Sequence, residues 1–505
     1  MPSSVDLTAA ASNAAEQQRH PRGLYTLFFT EMWERFSYYG MRALLVLFMV
    51  DAVQHGGLGF DDKTATSIYG LYTAFVYLAS LPGGWVADRL LGAQRSVWIG
   101  GIIIAVGHFT LAIPAFQTFF LGLMFIVFGT GLLKPNISVM VGQLYPEGGG
   151  RRDAGFTIFY MGINLGAALG PLVCSTLGEK LNWHYGFAAA GVGMVLGLVQ
   201  FKLTARHLGA AGLHPHPREG EPPSNGFDRG WYVVAAGLGA VALIVAFAFL
   251  GVIRINPVAL AQKTTYAIVG IAVVYFAGIF AFGRLDRTEK KRVFVIILLL
   301  LCSAMFWSGF EQAGSSLNLF ADRYTDRLLA RFNFLIPAGW FQTLNPFFII
   351  TLAPVFAVLW VRLARRNLDP SIPAKFAFGL LLLALGFLVM VGAAKVVTAG
   401  RQALPVWLIL TYLLHTTGEI CLSPVGLSAV TKLAPPRLVG QMMGLWFLAT
   451  SLGNLIAGLF AGEFRPDAVE QMPGLYLRIV LTALGTGMLL LLFVRPVKRL
   501  IGGIK

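Results

Sequence analysis

The amino-acid sequence predicts an all-α polytopic membrane protein, with two six-helix bundles and two further helices inserted between them, fourteen transmembrane helices in all. Three observations carry this expectation. Of the 505 residues 56% are hydrophobic and only 12% charged, which is too apolar for one or two soluble domains. Apolar stretches long enough to cross a hydrocarbon core of roughly 30 Å recur along almost the whole chain. They lack the period-2 alternation of a membrane barrel, so they are helices.

The elements follow in order. The first six spans are expected at about residues 25–50, 66–88, 95–114, 118–143, 154–176 and 184–203. Residues 205–230 then gather His207, His214, His216, Pro215, Pro217, Pro222 and Pro223 among glycines and charges, which is the chemistry of a solvated linker and not of a metal site. Two stretches without buried charge, 231–252 and 265–283, read as peripheral inserted helices. The basic cluster Arg284, Arg287, Lys290, Lys291 and Arg292 marks a return to the cytoplasm. Six more spans are expected at 293–320, 337–362, 374–396, 404–432, 438–462 and 474–494. The organisation is therefore a disordered cytoplasmic tail at 1–20, an N-terminal bundle at 21–206, linker and inserted helices at 207–290, and a C-terminal bundle at 291–505.

A net charge of +15 raises the question of nucleic acid, but the basic residues are scattered among loops and form no patch interleaved with aromatics. Most of them fall in loops on the side of the N-terminus. By the positive-inside rule this places both termini in the cytoplasm. Cys174, Cys302 and Cys421 are odd in number and lie in apolar segments, so neither a disulfide framework nor a metal site is expected. No Gly-rich loop followed by Lys and Ser or Thr is present to bind ATP, and no cofactor is expected.

The charges inside the spans are the informative residues. In EMWERFSYYG, Glu31 to Gly40, and the residues just after it, Glu31, Arg35, Tyr38 and Arg42 fall within about 60° of one another on a helix, with Glu34 beside them. Each charge at bilayer depth costs roughly 2.5 to 3.5 kcal/mol, so such a stripe faces a protein interior or a water-filled route. Arg42 and Lys134 are cations of the first half; Glu311 and Glu419 are anions of the second. A low-dielectric cavity with this polarity suits a zwitterion, whose carboxylate and ammonium each meet the opposite sign.

Two six-helix halves joined on the cytoplasmic side resemble the major facilitator architecture, in which the substrate site lies at mid-membrane between the halves. Gly84, Asp88, Arg89, Gly92 and Arg95, between the second and third spans, resemble its gating-loop signature, with Asp88 and Arg89 as the lock. EMWERFSYYG, GGWVADRLLG (Gly83 to Gly92), GLLKPN (Gly131 to Asn136) and FYMGINLG (Phe159 to Gly166) together resemble the proton-dependent oligopeptide transporter family, from about residue 22 to 495. Bacterial members of that family carry the same extra helix pair.

The resemblance implies roles residue by residue. Arg42 and Lys134 meet the peptide carboxylate; Glu419, Asn164 and Asn345 meet its amine and backbone; Tyr39, Tyr72, Trp307 and Trp446 are pocket aromatics. Amides suit backbone recognition because they donate and accept without reading a side chain. Without the family, each aromatic reads as packing, each Asn as an interhelical hydrogen bond, and Lys134 with Glu419 as a salt bridge. Glu31, Glu34 and Arg35, two carboxylates sharing one cation, and Glu311 facing Arg42 are the proton-coupling candidates. The sequence departs from animal members, which carry a histidine on the second span; Gly70 stands there, so a histidine-centred scheme does not transfer. His415 precedes Glu419 by one helical turn and is placed to modulate it.

The expected function is proton-coupled symport of di- and tripeptides into the cytoplasm by alternating access, in a bacterial inner membrane, by a chain that acts as a monomer and is not an enzyme. The alternatives are a same-fold carrier of another small anion or drug-like solute, and a peptide receptor that does not transport. A membrane enzyme would need a grouped Ser, His or Asp set near an interface, and none is found.

Overall fold

The structure, a computed structural model, describes residues 20–215 and 229–502. The tail expected at 1–20 therefore lies outside the described residues except for His20, as do His216, Pro217, Pro222 and Pro223 of the linker.

Among the described residues fourteen long helices follow one another. The first half comprises α1 (Arg22–Val50), α2 (Asp62–Val86), α3 (Ala93–Leu111), α4 (Phe116–Gln143), α5 (Gly149–Lys180) and α6 (Trp183–Thr204). The inserted pair is α7 (Gly230–Phe249) and α8 (Pro257–Phe282). In the second half α9 (Arg287–Phe310) breaks at a 3-10 turn, Glu311–Gly314, and resumes as the short α10 (Ser316–Tyr324). Then come a 3-10 turn at Ala338–Thr343, α11 (Leu344–Arg365), α12 (Ile372–Thr398), α13 (Val406–Leu433), α14 (Val439–Ala461), α15 (Met472–Leu492) and the short α16 (Val494–Ile501). Between α10 and α11 the strands β1 (Leu328–Leu329) and β2 (Phe334–Leu335) pair antiparallel, Leu328 opposite Leu335.

Local chemistry sets the ends. Asp61 caps α2 by accepting the Thr64 N–H at 2.9 Å, and Asn256 caps α8 from Ala259 with Pro257 in the first turn. That cap explains why α8 begins eight residues before its expected start: its first turns are polar enough to hide from a hydropathy reading. Asp286 and Glu289 form a reciprocal capping box at the start of α9.

Eleven described helices are long and apolar enough to cross a membrane by composition alone. α1, α2 and α3 fall outside that group; in α1 the reason is visible, since it carries Glu31, Glu34, Arg35 and Arg42, all buried in the protein. Burial inside the bundle lets a charged helix sit at bilayer depth.

The halves meet along α2 against α14 and α5 against α11. Gly70 lies at the first of these crossings: a Cβ there would stand 3.1 Å from Gly458 Cα and Asn454 O, so a larger residue would press the two halves slightly apart. Within the first half, α1 lies on α5 so closely that a Cβ on Gly166 would meet the Met32 carbonyl oxygen at 2.0 Å. The FYMGINLG segment thereby holds the charged helix in place. Of the inserted pair, α7 is almost wholly exposed, whereas α8 packs on both α2 and α14 and donates the Tyr275 hydroxyl to Gln441.

Candidate functional site

At mid-height of α1 the predicted stripe forms. Arg35 Nε lies 2.8 Å from Glu31 Oε1 and 2.6 Å from Glu34 Oε2, one guanidinium serving two carboxylates. All three side chains are buried. Glu34 Oε1 and Arg35 Nη2 have no hydrogen-bond partner among the protein groups described. Two turns further along, Arg42 Nη2 pairs with Glu311 Oε2 at 2.8 Å, from the 3-10 turn that ends α9. This is an ion pair between the halves, with both partners over nine-tenths buried.

Lys134 does not pair with Glu419 here. Its ammonium sits 3.8 Å from the centroid of the Tyr77 ring, a cation–π contact, within electrostatic reach of Arg35 and Glu34. Glu419 instead accepts a hydrogen bond of 2.9 Å from Asn345 Nδ2, which also donates to Thr416 at 3.1 Å. Asn164 Nδ2 is turned to the Tyr160 carbonyl of its own helix. His415 lies against Phe387 with the rings tilted at 44° and their centroids 4.7 Å apart, and makes no described contact with Glu419.

Tyrosines border this set. Tyr39 and Tyr69 flank the Arg42 guanidinium at 5.5 and 5.7 Å, and Tyr72 stacks on Tyr38. Trp307 lies edge-on to Phe306 and Phe310, while Trp446 fills the space over Gly426 against Phe376. Lys134, Asn345, Glu419, Tyr39 and Trp307 retain partial accessibility, in contrast to the sealed Glu31–Glu34–Arg35 cluster. Asp88 and Arg89 stand apart from the charged set. They occupy a π-helical turn at the end of α2, exposed, with Arg89 over the Trp85 ring. That loop is tied to residues 209–213 of its own half, through Gln94 to Gly212 and Ala211.

Sequence reasoning missed Tyr77, Tyr69 and Thr416, whose residue types carry no signal in an apolar span. It also missed the closure between the halves at the end remote from the termini. There Asp62 on α2 receives both Nη atoms of Arg323 on α10 at 2.6 and 2.8 Å. Glu179 on α5 accepts the N–H groups of Ala338 and Gly339 at 2.6 and 2.9 Å, with Arg327 at 3.4 Å. Trp340 donates its indole N–H to Leu172 O and Thr176. Asp62 opens its helix and reads as complementing the helix N-terminus, so its long-range partner is not legible in the sequence.

Two helical halves that enclose opposed buried charges, share an ion pair at the centre and are latched at one end define a secondary carrier of major facilitator type. Comparison with known proteins narrows the class. The sequence profile of the POT family, PTR2, matches residues 94–472. The chain is 45% identical over 491 residues, 95% of each chain, to the peptide transporter YePEPT of Yersinia enterocolitica subsp. palearctica. It is 37% identical over 498 residues, 96% of this chain and 97% of the other, to a di-/tripeptide transporter of Lactococcus lactis subsp. cremoris. The crystal structure of a peptide transporter POT in complex with sulfate superposes with a TM-score of 0.88 at 42% identity, covering 96% of both chains. The protein belongs to the POT family of transporters.

Proposed function

We propose that the protein is a symporter that carries di- and tripeptides with protons into the cytoplasm by alternating access, in a bacterial inner membrane with both termini cytoplasmic. The Arg42–Glu311 pair carries this reading. It joins the halves through a charge bond that a proton on Glu311 weakens and that a peptide carboxylate replaces, so the two substrates act on the same contact.

Glu31, Glu34 and Arg35 form the second exchangeable set: a proton on either carboxyl releases Arg35 from half of its partners. A peptide lies with its carboxylate toward Arg42 and Lys134 and its amine toward Glu419, which then exchanges Asn345 for the ammonium. Lys134 suits this task because its ammonium rests on a ring and not on a carboxylate, a contact that costs little to leave. Asn164 and Asn345 bind the backbone, and Tyr39, Tyr72, Trp307 and Trp446 receive side chains by apolar contact. Asp88 and Arg89 act at the cytoplasmic gate. The orientation rests on the basic loops.

Uptake of labelled dialanine into proteoliposomes, with and without an inward proton gradient, tests the proposal. Gradient-dependent accumulation competed by unlabelled tripeptide and not by nitrate is the expected result. Peptide binding without accumulation overturns symport in favour of a receptor, and competition by nitrate alone overturns the peptide assignment.

A further inference from the structure

The C-terminal helix α16 has eight residues, of which Val497 and Ile501 are buried and Arg495, Lys498 and Arg499 exposed. It packs on α9 and α12. The part of α9 at this end is its opening, with Arg287, Lys290 and Lys291 exposed, and Arg292 reaches to within 3.9 Å of the place a Cβ would take on Gly502. Arg287, Lys290 and Lys291 on α9 and Arg495, Lys498 and Arg499 on α16 are thus six exposed bases on two helices that touch. The nearby acids are already engaged: Asp286 caps α9 at 2.7 Å, and Glu289 pairs with Arg437 at 3.0 Å. Among the described residues no ion pair neutralises Arg287, Lys290, Lys291, Arg495, Lys498 or Arg499.

What borders the bases identifies their partner. On α9 the face that carries Arg287, Lys290 and Lys291 continues at helical spacing into Phe294 and Leu301, which are 54% and 62% exposed. On α15 the exposed apolar residues Leu484, Met488, Leu489 and Leu492 lead to Phe493 and then to Arg495. The two helices touch. A charged head with two hydrocarbon tails is the molecule whose layout matches a basic corner at the foot of two apolar faces, and a soluble phosphate would leave those faces unused.

We propose that α16 and the opening turns of α9 form a binding site for the headgroup of an anionic glycerophospholipid, whose acyl chains lie along α9 and α15. The site is separate from the peptide cavity and independent of what the cavity carries.

Native mass spectrometry of the detergent-purified full chain, incubated with equal amounts of phosphatidylglycerol and phosphatidylcholine of matched chains, tests it. The wild type is expected to retain phosphatidylglycerol in preference. Each base removed is expected to reduce that preference roughly fivefold, so Arg495→Gln/Lys498→Gln/Arg499→Gln abolishes it. Arg287→Gln/Lys290→Gln/Lys291→Gln provides the same reading should the first variant fail to fold. Arg362→Gln/Arg365→Gln/Arg366→Gln at the end of α11 should keep the preference. Equal retention of both lipids by the wild type, retention of inorganic phosphate in place of lipid, preference unaltered in both corner variants, or equal loss in the α11 variant would overturn the proposal.

Discussion

Arg35 holds Glu31 and Glu34 at once, and neither carboxylate has another cation within salt-bridge distance among the described residues. A neutral amide in place of Glu34 therefore leaves Arg35 with Glu31 and removes a proton acceptor without stranding the guanidinium. Glu34→Gln is expected to lower gradient-driven dialanine uptake by at least about a hundredfold, while counterflow exchange falls only severalfold. The proposed proton-carrying role, taken by analogy with a positioned general acid or base as worth roughly 10², would be refuted by driven uptake at the wild-type rate. These residues were legible in the sequence because a charge within an apolar span is improbable unless it has a task. Tyr77 and Thr416 were not legible: a tyrosine or threonine in a span is ordinary, and only folding puts one under Lys134 and the other beside Asn345.

At the scale of elements, helix contacts decide whether the charged groups stay aligned. The α1–α5 crossing leaves no room at Gly166, so Gly166→Ala must push α1 outward. The expected cost is about 1 to 3 kcal/mol, visible as a lower thermal midpoint in detergent; an unchanged midpoint would show that the helices relax freely. The latch at Glu179 is of another kind. Its carboxylate caps the turn that opens α11 from across the interface, and charge-assisted hydrogen bonds of this sort contribute about 1.5 to 3 kcal/mol. Glu179→Gln is expected to raise the population open at that end roughly tenfold, read as a longer distance between spin labels placed there on the two halves. A distance distribution identical to wild type would remove Glu179 from the gate. The helices themselves matched their expected spans closely, because hydrophobic length is a local property; the break at Glu311–Gly314 and the early start of α8 escaped it, being set by a partner helix and a cap.

At the scale of the molecule, the ion pairs between the halves lie at the centre and at the end remote from the termini among the described residues. Joining Asp62→Cys to Arg323→Cys with a bifunctional thiol reagent should hold that end shut and stop uptake. Joining Tyr275→Cys to Gln441→Cys should leave uptake in place, since it fixes a contact that α8 and α14 already make through a hydrogen bond. Transport surviving the first link would show that this end need not open. The sequence by itself determined the class of fold, the six-two-six order of helices and the charges that face inward, because each follows from local hydrophobicity and from the cost of a charge in hydrocarbon. Where Lys134, Glu419 and Glu179 find their partners was decided only by the tertiary structure. Glu419 on Asn345 and not Lys134, Lys134 on the Tyr77 ring, and Glu179 on the backbone of α11's opening turn all depend on contacts between residues remote in the chain, where a few ångströms separate an ion pair from a cation resting on a ring.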